Sequence, residues 1–295
     1  MGMKKIKENS SFTKKSIPER IVYAVVFLLF FLYAASLLYP FFWGVLSSLK
    51  EVDEYLDSPF SFPSKWLFSN YASAFEMLQY NDANFIQMIF NSVWFTVGGT
   101  LIAGFVVCMT AYVVAKYDFK GKGFVYALSL VIMVVPVVGT LPAQYRLYNQ
   151  LHITDSPLLL ITYASGFGFN FIVMYGFFKS LPWGYAEAAF IDGATHFQVF
   201  WKIMLPQASA CIFAISIVHA IGMWNDYMIP MLYLDHMPTL ASGLYSYQTI
   251  MEMDTDCNYP VYFAGIFMSM LPMVVIYGAF HNVIMDNTAT GGLKG

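Results

Sequence analysis

The chain has 295 residues, of which 58% are hydrophobic, 19% aromatic and only 11% charged, with a net charge of −3. A water-solvated domain carries about a quarter charged residues, so this composition excludes an ordinary soluble globule and makes lipid the main solvent. The small net charge says little about partners; its distribution along the chain says more.

Taken in chain order, six stretches lack Asp, Glu, Lys and Arg: 21–49, 83–115, 123–145, 156–178, 203–225 and 257–285. A helix needs about 20 residues to cross the hydrocarbon core, and each stretch exceeds that. They are far too long for barrel strands, which leaves helices as the structure able to satisfy the backbone in lipid. The expected fold is all-α, with six transmembrane helices at about 21–46, 87–114, 124–142, 157–178, 207–233 and 260–283. Residues 1–20 precede this 21–285 membrane domain, and 286–295 form a tail. Basic residues precede the first stretch as in a signal peptide, but signal cores run to about 7–15 residues, so a retained span is expected.

Direction follows from the cations. Of the 15 Lys and Arg, an N-in, C-in arrangement puts 12 inside and leaves only Lys50, Lys65 and Arg146 outside. Glu51, Asp53, Glu54, Asp57, Asp235, Glu252, Asp254 and Asp256 then also fall outside. The first outer loop, about 50–86, contains Pro59 and Pro63 and reads as turns with a short helix; Trp66 and Tyr71 suit the headgroup level. The second is about 232–259. Cys108, Cys211 and Cys257 are far apart and suggest neither a disulfide framework nor a metal site.

Between the fourth and fifth spans lies "EAAFIDGATHFQVFWKIMLP" (187–206), cytoplasmic in this topology. Pro182 precedes a short helix through Glu187, Ala188, Ala189 and Asp192, with the two alanines leaving a low surface for another backbone. Gly193 suits the left-handed residue past a helix end. Thr195 and Gln198 have capping-box spacing, and Phe197, Phe200, Trp201 and Met204 form one stripe of a second helix. Pro206 is expected to restart the chain into the fifth span. An amphipathic loop resting on the membrane is the plain alternative.

The spacing of Glu187-Ala188-Ala189, Gly193, Ile203, Leu205 and Pro206 resembles the EAA-x3-G-x9-I-x-L-P signature of permease subunits of bacterial ABC importers. "LLYPFFWGVLSSLK" (37–50), "NSVWFTV" (91–97), "AYVVAKYDFKGK" (111–122), "VPVVGTLPAQYRL" (135–147), "MWNDYMIP" (223–230) and "TATGGLKG" (288–295) extend the likeness to carbohydrate-importer permeases, nearest the maltose-type second permease. The chain departs from that family before the triplet, where Trp183, Gly184, Tyr185 and Ala186 replace acidic residues, and after Pro206, where no second proline follows. The resemblance implies that 187–206 is a coupling-helix loop seated in a cytoplasmic ATPase, with Glu187 as polar contact and Ala188, Ala189 and Gly193 as close packing. It implies as partners a second permease, two ATP-binding subunits using ATP and Mg, an extracellular solute-binding protein and membrane lipid, with no nucleic acid. The chain itself is expected to bind no cofactor or metal.

For a solute pathway, Ser216, His219, Met223 and Asp226 share one face of the fifth span, and Asn170 is a further polar residue within a span. Hydrogen bonding to neighbouring helices is the alternative, and the preferred one for Asn91. Phe167, Phe169 and Phe171 could pack on a sugar or simply on other helices. No GxxxxGK[ST], HExxH, GxSxG or CxxC occurs and the five histidines are dispersed, so no catalysis is expected. An importer for a polyamine, amino acid or phosphate ester, or a six-span membrane enzyme or receptor, are the other readings; the scarcity of fixed cations favours a neutral solute.

Overall fold

The structure, a computed structural model, describes residues 17–135, 139–251, 253 and 258–290, with backbone alone at residue 280 and over 282–290. Among these residues every element is helical; the sole β feature is an isolated bridge between Tyr80 and Ala83. The basic residues at 4, 5, 7, 14 and 15, together with Glu252, Asp254, Asp256, Cys257 and 291–295, lie outside them.

Helix α1 (Ile17–Ser48) is followed by α2 (Val52–Asp57) and α3 (Ser69–Met77) in the first loop. Helix α4 (Phe85–Lys116) starts on a capping box in which the Asn84 side chain accepts from the Gln87 amide and Gln87 accepts from the Asn84 amide. Next come α5 (Lys122–Val134), α6 (Leu141–Gln150), a three-ten helix at Pro157–Tyr163 and α7 (Phe169–Ser180). The intervening loop holds α8 (Gly184–Ile191) and α9 (His196–Val199), then a π turn at Phe200–Met204 and α10 (Leu205–Gln207). Helices α11 (Ser209–Asn225), α12 (Met228–Tyr233), α13 (Leu240–Met251) and α14 (Tyr259–Thr290) complete the chain.

Three described helices are individually long and apolar enough to cross a bilayer: Ile17–Ser48, Phe85–Lys116 and Tyr259–Ala279. A fourth candidate is the pair His196–Gln207 and Ser209–Asn225, bent by 76°. The expected continuous helices at 124–142 and 157–178 are not seen. Among the described residues, helix α5 ends at Val134, residues 135, 139 and 140 are non-helical, and the next helix begins at Leu141. Between the three-ten helix and α7 the chain is non-helical over 164–168. The cause is glycine, which a search for missing charges ignores. Gly168 stands at φ +92°, where an L side chain is strained, and Gly139 at φ +77°. At Gly166 an added Cβ would collide with the Thr110 hydroxyl, so the break brings backbone directly onto α4. The expected fifth span, 207–233, is likewise divided at Asp226.

Helix α4 is the hub, packing mainly against α7 and α11, while α1 and α3 pack on α14. Three buried clusters follow its length. Phe85 and Met88 join Ala74, Leu78, Leu240, Val261 and Ala264 at one end. Phe95 meets Leu159, Leu160 and Met223 midway. Val107, Cys108, Ala111 and Tyr112 meet Phe171, Met174 and Phe178 at the other end, and residues of the 184–207 loop join them there.

Candidate functional site

The 184–207 loop is built into the protein rather than hung from it. Ala186 and Ala189 of α8, Val199 of α9, and Phe200 and Met204 of the π turn are buried in the core that holds Tyr112, Phe171 and Phe178. The loop's entry is tied to the end of α4, where the Lys116 ammonium donates to the Leu181 carbonyl and lies 5.9 Å above the Trp183 ring. Its centre is tied there too: the Tyr117 hydroxyl is 2.8 Å from His196 Nδ1, and His196 packs edge-on against Phe190 with centroids 4.8 Å apart.

Helix α8 ends as the sequence predicts. The Ala194 amide donates to the Ala189 carbonyl and the Gly193 amide to the Phe190 carbonyl, a Schellman arrangement with Gly193 at φ +82°. Among the described residues a Cβ on Gly193 would meet nothing within 4 Å, so against them the glycine serves backbone conformation and not close packing. The Thr195–Gln198 capping box forms in both directions. Pro206 does not restart the chain; helix runs through it to Gln207 and the bend falls at the buried Ala208, whose amide reaches the Met204 and Leu205 carbonyls.

The residues of the motif divide between two faces. Glu187, Ala188, Asp192, Gly193 and Pro206 are exposed, Ile203 and Leu205 are half-buried against the core, and Ala189 is buried. The expectation that Ala188 and Ala189 jointly present a low outer surface is therefore corrected: Ala189 points inward with Ala186, and only Ala188 faces out. Two apolar residues complete that outer face, Tyr185 and Ile191, spaced i−3 and i+3 from Ala188; Ile191 is 87% exposed. The motif spacing passed over them because neither is a fixed position, although their helical phase with Ala188 was readable. The expected single stripe also divides, with Phe200 and Met204 buried while Phe197 and Trp201 stay exposed, Trp201 stacking on Phe105 at 5.7 Å. One turn of π-helix shifts the phase of the residues after it.

Of the five proposed pathway residues, three meet. Asn170, Ser216 and His219 line one narrow crevice with Thr100 and Gly104, between α4, α7 and α11. His219 Nε2 is buried there without a hydrogen-bond partner among the described residues. The other two are elsewhere. Met223 is buried against Gly99, where its Cε fills the space a Cβ would need, so it is helix packing. Asp226 caps the start of α12 by accepting from the Ile229 amide at 3.1 Å. Ser216 and Thr100 also border an apolar cavity of about 200 Å³ between α4, α11 and α14, which contains Thr96 and Tyr277. Thr100 carried no signal in the sequence because a threonine in an apolar helix ordinarily bonds its own backbone or packs. Asn91 makes structural bonds, donating to the Pro238 carbonyl at 3.0 Å and accepting from the Trp94 indole. Phe171 is buried core, stacked on Tyr175.

Comparison with known proteins gives one family and a consistent set of relatives. Residues 107–284 match the family described as "Binding-protein-dependent transport system inner membrane component". A diacetylchitobiose uptake system permease protein of Streptomyces coelicolor is 32% identical over 275 residues, covering 92% of this chain and 89% of its own. An arabinooligosaccharides transport system permease protein of Bacillus subtilis is 29% identical, over 94% of this chain and 98% of its own. The crystal structure of a bacterial ABC transporter involved in the import of the acidic polysaccharide alginate contains a chain of the same fold. Its TM-score is 0.76 at 23% identity, covering 91% of this chain and 98% of that one.

Proposed function

Because the chain belongs to the family of inner-membrane components of binding-protein-dependent transport systems, a non-catalytic membrane subunit, we infer that it is the permease subunit of an ABC importer for a carbohydrate. The diacetylchitobiose and arabinooligosaccharide permeases it resembles support that solute class. In this reading a second permease, a pair of ATP-hydrolysing subunits using ATP and Mg, and an extracellular binding protein complete the transporter in the cytoplasmic membrane. This reading puts both termini and the 184–207 loop in the cytoplasm, which the bias of basic residues supports.

Six crossings remain the topology we propose, three of them interrupted. Twelve residues of α7 rise about 18 Å and seven three-ten residues about 14 Å, together on the order of the 30 Å hydrocarbon core. Breaks of this kind are tolerated where the freed backbone is covered by protein, as Gly166 is by Thr110.

The observation that carries the coupling role is the construction of α8. Its inner face is locked into the α4–α7 core, whereas Tyr185, Ala188 and Ile191, flanked by Glu187 and Asp192, face outward. An apolar side chain as exposed as Ile191 on a rigid helix outside the membrane fits a docking contact, and rigidity lets closure of the ATPases move the spans. Alternating access at the Asn170–Ser216–His219 crevice would then carry the solute. Ile191→Cys should crosslink to the ATPase subunit in the purified complex, and Ile191→Asp should abolish transport without loss of membrane insertion. If the Ile191→Cys thiol reaches only lipid, or the Ile191→Asp variant transports normally, the coupling role is refuted.

A further inference from the structure

The first loop carries a cluster of aromatic side chains that the transport reading leaves unused. Phe60 and Phe62 are 72% and 76% exposed, and Trp66 and Phe68 are exposed beside them. Their position relative to the end of α1 is fixed from both sides. The Trp43 indole donates to the Pro59 carbonyl at 2.9 Å, and the Trp43 and Phe60 rings lie 5.9 Å apart. At the other side the Leu67 amide donates to the Leu49 carbonyl at 2.8 Å. The segment between these pins cannot stand away from α1; it lies alongside that helix's last turns.

Lys50 drives the reversal. It is fully buried, and its ammonium donates to the Ser58 and Pro59 carbonyls at 2.7 and 3.1 Å and to the Ser61 hydroxyl at 3.2 Å. A buried cation with no hydrogen bonds is far costlier than one with all three donors used, so the chain wraps around it. Asn70 closes the knot by donating to the Ser48 and Lys50 carbonyls. Glu54 is turned into the loop, accepting from the Ser64 amide and hydroxyl.

Depth decides what the aromatics touch. Trp43 precedes the end of α1 by five residues, about 7.5 Å of helix. With the first span expected to end near residue 46, Trp43 stands three residues, about 4.5 Å, from that end, so Trp43 and Phe60 fall at the boundary between hydrocarbon and headgroups. From Ser58 to Ser64 the tip carries no charge, and the exposed Lys65 then stands next to Trp66, a cation suited to a phosphate headgroup.

We propose that residues 59–68 form a monotopic foot, stapled by Lys50, that inserts Phe60, Phe62 and Trp66 into the lipid interface at the end of α1. This rests on α1 crossing the bilayer and not on the solute or the coupling role, so it can fail while those stand.

The test places a nitroxide at Phe60→Cys or Phe62→Cys, in a chain whose native cysteines are replaced, within the purified transporter in phosphatidylcholine–phosphatidylglycerol vesicles. Collisions with oxygen relative to a water-soluble nickel chelate should exceed those of an Asp57→Cys control several-fold. A ratio equal to that control means the foot lies in water, and exclusion of both quenchers means another protein covers it; either overturns the proposal. Should the cysteine variants fail to insert, native Trp66 reads the same segment. Brominated lipids should quench the wild type more than Trp66→Phe, and equal quenching overturns the proposal.

Discussion

Gly193 shows how one residue's backbone shapes the loop. At φ +82° it turns the chain from α8 towards α9, and no neighbour would meet an added Cβ. Alanine there should cost about 1–2 kcal/mol from backbone strain alone, and asparagine less. Thermal unfolding in detergent measures it: equal midpoints for wild type and Gly193→Ala would contradict the conformational role. The adjacent alanines give a sharper contrast. Ala189 is buried beside Ala186 and Val199 whereas Ala188 is exposed. Leucine at 189 overpacks the core and should destabilise the fold by about 1–3 kcal/mol. Leucine at 188 should leave the unfolding midpoint within error and, on the coupling role proposed above, weaken binding to the ATPase. The expected outcome is that one variant fails in stability and the other in coupling; if both fail in stability, the division into inner and outer faces is wrong.

At the scale of elements, the loop's second helix depends on its cap. The Thr195 hydroxyl accepts from the Gln198 amide at 3.3 Å and Gln198 accepts from the Thr195 amide at 2.8 Å. Removing it in Thr195→Ala should cost about 1 kcal/mol. Amide exchange at 196–199 should quicken while the Lys116–Tyr117 end of α4 stays protected. That cap, the glycine stop and the exposure of Glu187 were all legible in the sequence, because each is set by residues within a few positions of one another. What was not legible depends on a partner element. Ala189 faces inward because α4 supplies Tyr112 to the same core, and Met223 leaves the pathway because Gly99 lets α4 approach. The π turn at 200–204 and the break before α7 escaped for a different reason. Absence of charge marks a lipid-compatible stretch, and says nothing about whether Gly166 and Gly168 interrupt the helix inside it.

Across the whole molecule, the end remote from the 184–207 loop adds to its apolar cluster a set of polar contacts between loops. His236 Nδ1 meets an Asp155 carboxylate oxygen, and the His236 amide donates to the other oxygen at 2.8 Å. The Asp155 amide donates to the Tyr233 carbonyl at 2.6 Å, and Asn81 donates to the Asp235 carboxylate at 2.7 Å. Three loops distant in sequence therefore meet at one charged knot. The hydrogen bond to Asp155, and then its charge, hold the His236 pKa above the ordinary imidazole value, and Asp235 and Asp82 add to the effect. A histidine whose folded pKa is raised stabilises fully below its unfolded value of about 6.5, and the contribution is lost as pH rises through the folded value. Exchange of the Asp155 and His236 amides, corrected for intrinsic rates, should thus accelerate as pH rises from below the unfolded value through the folded one, with amides of α8 unaffected. Asp155→Asn weakens the hydrogen bond and removes the charge that raise the pKa, so it should give fast exchange throughout and flatten the profile. An unchanged profile in that variant would show that some other group carries the pH dependence.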